Sequence, residues 1–276
     1  MIDYHMHLER GPLTLEWLQR FLDRATAVGI EEVGVTEHLY RFREARDILW
    51  TEYIAARSVN CVDDYAALME RARAAGLPVR FGLEADYVPG KERETARVLA
   101  LFPPLDYVIG SVHWLGSWGF DLDAASWQGK SVADVYREYY ATLARAAECE
   151  LFDIIGHPGN IAYHGFKPAP EFTEELEQAF LARAARQRVV LEINTGGLLR
   201  PARELFPRPE LARRIVETGL PITTASDAHR PEDVGHAFPL LYRQLKEWGV
   251  KEVIGFAGRQ RVPYQLADRC LRDRGN

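Results

Sequence analysis

Short apolar runs alternate with amphipathic helical stretches along almost the whole chain, and this alternation constrains the fold more than any other feature. Between the runs, apolar residues recur at helical spacing, as in Leu15, Leu18, Leu22 and Ala25. The runs predict seven strands: Ile2–His7, Glu32–His38, Val79–Tyr87, Tyr107–Trp114, Phe152–His157, Val189–Thr195 and Pro221–His229. Because most of these runs are apolar on both faces, they indicate a parallel sheet covered by helices.

The spacing of the strands favours a closed barrel. From His7 to Asp227, the six strand-to-strand steps leave room for one βα unit of roughly 30 residues at each step. A final apolar run, Val253–Ala257, supplies either an eighth strand or a closing segment. We therefore predict an α/β barrel of seven or eight strands, and a single domain that spans residues 1–276.

Composition excludes several classes of protein. With 47% hydrophobic residues the chain can build a core, and none of its apolar runs reaches the ~18 residues of a membrane span. A net charge of −6 disfavours binding to nucleic acid, and the first residues lack the pattern of a signal peptide. Cys61, Cys149 and Cys270 are scattered, so we expect no disulfide framework and a reducing, cytoplasmic location.

Residues that can bind metals fall at the C-terminal ends of the predicted strands. The candidate ligands are His5, His7, His38, Glu84, His113, His157, Asp227 and His229. In a parallel barrel these strand ends share one rim, where active sites are built. Side chains two apart on a strand point the same way, so His5 and His7 can converge on one ion. Buried together without metal, such groups would be left without partners.

The number of candidate ligands indicates more than one ion. One zinc-like ion takes about four protein ligands, or three and a water. Eight candidates are enough for two or three divalent ions, particularly if Glu84 bridges two of them. Imidazole and carboxylate ligands without thiolate suit Zn, Fe or Mn, and the sequence leaves the choice among these open.

Six ordered motifs resemble the polymerase-and-histidinol-phosphatase (PHP) superfamily over essentially the whole chain. They are H-x-H at His5 and His7, T-E-H at His38, G-x-E at Glu84, S-V-H at His113, G-H-P at His157, and S-D-A-H at Asp227 and His229. The chain is most similar to the monofunctional PHP-type histidinol phosphatases. The supporting stretches are Ile109–Trp114 followed by Gly119–Asp121, Leu191–Thr195 followed by Gly197, and Glu204–Pro207.

The resemblance implies a distorted seven-stranded (β/α) barrel, similar to a TIM barrel, with three metals at the C-terminal strand ends. The implied ligands are His5, His7, Glu84 and Asp227 for the first metal, Glu84, His113 and His157 for the second, and His38 and His229 for the third. Many members carry a further His or Cys shortly after H-x-H, whereas Leu8–Pro12 follows here. Either Glu9 substitutes as an oxygen ligand, or the third site is weaker or completed by water.

The activity implied by the resemblance is that of a metal-dependent phosphomonoesterase. The expected reaction converts L-histidinol phosphate and water into L-histidinol and phosphate, within histidine biosynthesis, by attack of a metal-bridging hydroxide. Asp227, Glu84 and His229 are then the candidate catalytic residues. The alternatives are a PHP phosphoesterase acting on nucleotides or another small phosphate ester, an amidohydrolase-like metal hydrolase, and a non-enzymatic metal-binding domain.

Several polar residues on the predicted rim loops are candidates for substrate binding. Arg200 ranks first for phosphate, since its planar guanidinium follows a flexible Gly-Gly pair. The other candidates are His164, Lys167, Arg10 and Asn194. Two long aromatic-rich loops, residues 39–62 and 115–131, predict either substrate lids or hydrophobic patches packed on the barrel. Asp121 and Asp123 in the second loop would suit a cationic substrate, and the oligomeric state stays open.

Overall fold

The computed structural model describes residues 1–266. Its strands are β1 (Ile2–Asp3), β2 (Glu32–His38), β3 (Val79–Asp86), β4 (Tyr107–Ser111), β5 (Trp114–Leu115), β6 (Trp118–Gly119), β7 (Ile154–Ile155), β8 (Val190–Asn194), β9 (Ile222–Ala225), β10 (Glu252–Ala257) and β11 (Gln260–Gln265). Its helices are α1 (Leu15–Ala27), α2 (Glu52–Arg57), α3 (Val62–Ala74), α4 (Glu92–Leu99), α5 (Val132–Glu148), α6 (Pro170–Gln187), α7 (Pro209–Glu217) and α8 (Phe238–Glu247).

Seven parallel strands form one sheet in the order β1-β2-β3-β4-β7-β8-β9. The sheet nearly closes on itself, because the chain after β1 reaches the segment around β9. The Tyr4 N–H donates to the carbonyl of Thr224 at 3.1 Å, and the His7 N–H donates to that of Ala228 at 2.8 Å. The result is an α/β, TIM-like barrel flanked by helices, which confirms the predicted seven-stranded architecture.

Several strands are shorter than the apolar runs that predicted them. β1 ends at Asp3. From Tyr4 to His7 the chain makes only isolated backbone hydrogen bonds with β2 and with the segment around β9. β7 contains only Ile154 and Ile155, and His157 adopts a positive φ of 26° two residues later. Positive φ is uncommon outside glycine, so the irregular backbone begins where the polar side chains are presented.

The run Val253–Ala257 belongs to a closing segment and not to an eighth barrel strand. β10 pairs antiparallel with β11 in a separate hairpin. The Phe256 N–H donates to the Tyr4 hydroxyl at 2.9 Å, and the Gly258 N–H donates to Asp106 at 3.1 Å, just before β4. The hairpin therefore covers the N-terminal end of the barrel.

The interior of this end is filled by tyrosines. The Tyr107 hydroxyl crosses the barrel and donates to the Tyr4 carbonyl at 2.9 Å. A Cβ at Gly34 would lie 1.8 Å from that hydroxyl oxygen, so only glycine fits beneath it. Since one end is filled and covered, the opposite end is where the barrel can open to a ligand.

Three further expectations concern the cysteines, membrane-spanning helices and the extent of the domain. Cys61 and Cys149 are free thiols, while Cys270 lies outside the described residues. Every helix within residues 1–266 is too short or too polar to cross a lipid bilayer. The single domain over residues 1–276 stays a prediction.

Candidate metal centre

The eight predicted ligands converge at the C-terminal end of the barrel. The side chains of four are at least nine-tenths buried, and those of the other four are only 11 to 18% exposed. Three groups have potential ligand atoms that all lie within 4.8 Å of one another: His5, Glu84 and His157; His5, His7 and Asp227; and His7, His38 and His229. Because the groups share members, they form one continuous cluster.

Glu84 lies at the centre of this cluster, and its two carboxylate oxygens face different histidines. Oε1 is 2.9 Å from Nε2 of His157 and 3.6 Å from Nε2 of His113. Oε2 is 3.5 Å from Nε2 of His5 and 3.6 Å from Nε2 of His7. A carboxylate in this position can bridge two ions, one on each side.

Asp227 approaches the cluster from the opposite side of the barrel. Its Oδ1 is 3.3 Å from Nε2 of His7 and 3.3 Å from Nε2 of His229. The imidazole of His7 stacks against those of both His38 and His229, with ring centroids 4.0 and 4.6 Å apart. Asp227 has a positive φ of 53°, a costly conformation that the surrounding structure must maintain.

The cluster fits divalent cations because its inward-facing atoms are otherwise unsatisfied. Nε2 of His5, Nε2 of His7 and Oε2 of Glu84 are buried and make no hydrogen bond with any residue of the described chain. Buried polar atoms without partners cost about 1–3 kcal/mol each, and more for a charged group. Bound cations would satisfy all of them together, using imidazole and carboxylate ligands that suit Zn, Fe and Mn.

Two carboxylates behind the histidines were missed by the sequence analysis. Glu192 on β8 accepts a hydrogen bond from Nδ1 of His5 at 2.9 Å, and Asp86 at the end of β3 accepts one from Nδ1 of His113 at 2.9 Å. Such carboxylates fix ring orientation and direct the other ring nitrogen to a metal. The available signal was an acidic residue within an apolar strand, since burial of an unpaired carboxylate is costly.

Glu9 also lies behind a histidine. Its Oε1 is 2.8 Å from Nδ1 of His229, and its Oε2 accepts a hydrogen bond from the Arg41 guanidinium at 3.2 Å. Both oxygens of the residue that was expected to be an oxygen ligand are therefore engaged by protein side chains.

Neighbouring charges decide the ionisation of the cluster. Burial lowers the pKa of His5, but the carboxylates of Glu192 and Glu84 outweigh burial and raise this pKa well above its ordinary value. Burial alone would raise the pKa of Glu84, yet His5, His38 and His113 hold it well below the usual range. The central carboxylate is thus ionised, which is the form that binds cations.

A cavity of about 280 Å³ opens above the cluster. His38, His113, His157, Asp227 and His229 form part of its lining. Its other walls contain the aromatic residues Tyr40, Tyr53, Trp114, Tyr163 and Phe206, together with Glu9, Arg10, Asn160, Asp121, Leu122 and Arg200. The site therefore combines imidazoles, acidic and basic groups with aromatic faces in a space suited to a small molecule.

The structure separates the candidate phosphate-binding residues. Arg200 lines the cavity with its guanidinium 3.6 Å from Oδ2 of Asp227, and Arg10 also lines it. Lys167 instead pairs with Glu204 at 2.7 Å, in a neighbouring depression. Neither His164 nor Asn194 lines the cavity.

Asn194 has a clear structural partner instead. It is fully buried, and its side-chain amide donates a hydrogen bond to Oε1 of Glu192. Its side-chain carbonyl accepts the Gly196 N–H at 2.7 Å. Asn194 therefore orients the carboxylate behind His5 and has no open face toward a substrate.

The two long loops differ in their roles. Tyr40 and Tyr53 of the first loop line the cavity, as the lid alternative requires. In the second loop, Phe120 and Trp127 are buried, and the Trp127 indole N–H donates to the Phe120 carbonyl at 2.7 Å. Most of the aromatic residues in the second loop therefore pack on the barrel and hold its cavity-facing residues in place.

Comparisons with known proteins agree with this architecture. The family model described as "PHP domain" matches residues 3–196, and one described as "PHP-associated" matches residues 210–247. A probable histidinol-phosphatase of Deinococcus radiodurans is 32% identical over 261 residues, which cover 92% of this chain and 95% of that protein. The histidinol-phosphatase of Bacillus subtilis is 24% identical over 259 residues, with 86% and 96% covered.

A solved structure shares the fold. The histidinol phosphate phosphatase of Lactococcus lactis, complexed with zinc, L-histidinol and phosphate, aligns with a TM-score of 0.73 at 22% identity, covering 95% of this chain and 98% of that one. The family match spans most of the barrel, including the strands that carry His5, His38, Glu84, His113 and His157. This chain belongs to the PHP domain family.

Proposed function

We propose that this chain is a metal-dependent histidinol-phosphatase, which hydrolyses L-histidinol phosphate to L-histidinol and phosphate in histidine biosynthesis. The observation that carries the proposal is the buried histidine–carboxylate cluster beneath a small cavity that holds both an arginine and an unpaired carboxylate. The name of the Deinococcus relative, which aligns over 92% of this chain, supports the same substrate. A cytoplasmic location is consistent with this role and with the free thiols of Cys61 and Cys149.

Two to three divalent ions would occupy the cluster, and the ligand set leaves Zn, Fe and Mn as candidates. His5, His7, Glu84 and Asp227 would hold one ion, while Glu84, His113 and His157 would hold a second. His38 and His229 would contribute to a third. Bound ions of this kind polarise phosphoryl oxygens and lower the pKa of water towards neutrality.

Asp227 is suited to orient the attacking water. One of its oxygens faces His7 and His229, while the other faces Arg200 and the cavity. Burial raises the pKa of Asp227, but its histidine partners hold it well below the ordinary range. The residue is therefore a carboxylate at neutral pH and can orient a water by accepting a hydrogen bond from it. Glu84 is almost fully buried, which suits a ligand better than a proton carrier.

Arg200 supplies a fixed positive charge for the phosphate. Burial lowers the pKa of this guanidinium, whereas Asp227 raises it, and the net shift is upward. The guanidinium also lies 5.5 Å from the centre of the Tyr163 ring, which restricts its orientation. A planar, charged donor beside the cluster can hold phosphoryl oxygens for attack at phosphorus.

Asp121 can recognise the cationic part of the substrate. It lines the cavity and forms no ion pair with any cation of the described chain. Burial raises the pKa of its carboxyl, although His113 opposes the shift. An ammonium or imidazolium group would provide the missing partner, and the neighbouring faces of Tyr53 and Trp114 suit the same charge. Phosphate esters without a cationic group gain nothing from these groups.

The proposed substrate is tested by comparing kcat/KM for histidinol phosphate, nucleotides and sugar phosphates with Zn, Fe or Mn restored. We expect histidinol phosphate to be preferred by well over tenfold, because it alone combines a phosphate with cationic groups. A preference below about tenfold, which corresponds to only ~1.4 kcal/mol, would contradict the assignment.

The phosphate-binding role is tested by comparing Arg200→Ala with Lys167→Ala. Loss of a charge-assisted contact costs about 1.5–3 kcal/mol, so Arg200→Ala should lower kcat/KM by roughly 10- to 100-fold. Lys167→Ala should change it by less than about threefold, since exposed ion pairs outside the cavity contribute ~1 kcal/mol or less. Equal losses in the two variants would show that Arg200 is not the specific phosphate contact.

The role of Asp121 is tested against Asp123, which lies two residues away and differs in its contacts. The Asp123 carboxylate accepts the Ala125 N–H at 2.9 Å, and Asp123 does not line the cavity. Asp121→Asn should lower the ratio of kcat/KM for histidinol phosphate to that for p-nitrophenyl phosphate by roughly 10- to 100-fold. Asp123→Asn should leave this ratio unchanged. An unchanged ratio in Asp121→Asn would refute the role.

A further inference from the structure

Three histidines of the cluster, His5, His113 and His229, share one arrangement, in which a carboxylate lies behind the ring. Glu192 contacts Nδ1 of His5 at 2.9 Å, and Asp86 contacts Nδ1 of His113 at 2.9 Å. In both rings the opposite nitrogen, Nε2, faces Glu84. The carboxylate therefore determines which ring nitrogen is presented to an ion.

Glu9 repeats this arrangement at His229. The distance from Oε1 of Glu9 to Nδ1 of His229 is 2.8 Å, and Nε2 of the same ring is 3.3 Å from Oδ1 of Asp227. The carboxylate thus lies on the outer side of the ring, while the inner nitrogen faces the cluster.

The second oxygen of Glu9 is also occupied. The Arg41 guanidinium donates to Oε2 at 3.2 Å, and the side chains of Glu9 and Arg41 are only 17% and 13% exposed. Glu9 is therefore held between a ring and a guanidinium, with one oxygen on each.

We propose that Glu9 is a positioning residue for His229 and not a metal ligand. Acting with Arg41, it fixes the ring with Nδ1 outward and Nε2 directed toward the ion that His38 and His229 hold. Water, and not Glu9, then completes the coordination of that ion. This inference rests on the proposed metal centre, but it is independent of the substrate.

The proposal is tested by Zn²⁺ titration of the metal-stripped protein, with calorimetry and elemental analysis giving the affinity and number of ions. Glu9→Ala should lower the affinity for one Zn²⁺ ion by roughly 10- to 100-fold, which is the usual effect of losing a carboxylate behind a metal-binding histidine. Glu9→Gln retains an acceptor for Nδ1–H and should stay closer to the wild-type affinity. Glu9→His places a metal-binding side chain at this position but removes the carboxylate whose two oxygens contact His229 and Arg41, so it should resemble Glu9→Ala.

The opposite pattern would identify Glu9 as a ligand, because an amide coordinates poorly whereas imidazole coordinates well. In that case Glu9→Gln would lose as much affinity as Glu9→Ala, and Glu9→His would restore it. Asp86→Ala and Asp86→Asn form a matched pair behind His113. We expect Asp86→Ala to lose more Zn²⁺ affinity than Asp86→Asn. Circular dichroism identifies any variant that fails to fold, and the isosteric Glu9→Gln keeps the comparison decisive.

If the wild-type protein bound no Zn²⁺, the metal centre and this inference would both be wrong. A reversed order of affinities among the Glu9 variants would overturn only the inference.

Discussion

The burial of one carboxylate among imidazoles is the interaction on which the functional end of the barrel depends. Glu84 lies between His157 and His113 on one side and His5 and His7 on the other. An apolar barrel cannot hold so many titratable groups without compensation, because unpaired buried charges are strongly destabilising. Carboxylates behind the cluster supply part of that compensation, and divalent cations within it would supply the rest. The proposed catalytic centre is thus also the solution to a folding problem.

The barrel separates this polar end from its apolar remainder. Parallel strands bring all their C-terminal ends to one rim, so residues far apart in sequence become neighbours. At the other end, Tyr107 fills the space above Gly34, and the β10–β11 hairpin covers the opening. The cavity therefore lies at the other end, directly above the cluster. Arg200 and Asp121 line it, and in the proposed function they would provide opposite charges for a substrate that carries both phosphate and a cation.

The seven-stranded barrel and the convergence of the ligands were predictable from the sequence. The first follows from the regular alternation of apolar strands and amphipathic helices, and the second from the shared rim of parallel strands. The contacts behind the ligands were not predictable in this way. Glu192 and His5 are 187 positions apart, and their pairing depends on the tilt of two strands that β9 separates. Lys167 is a rim cation like Arg200, and only side-chain geometry shows that Glu204 engages it. Sequence periodicity locates a strand end, but it does not specify where each side chain points.

The most direct test of the central claim is the metal content of the purified protein compared with that of Glu84→Gln. The substitution preserves volume while removing the charge and the bridging capacity of the carboxylate. The account predicts two to three divalent ions per wild-type chain and loss of at least one ion in the variant, together with loss of phosphatase activity. Fewer than one ion per wild-type chain, or full metal content in a folded Glu84→Gln, would contradict it.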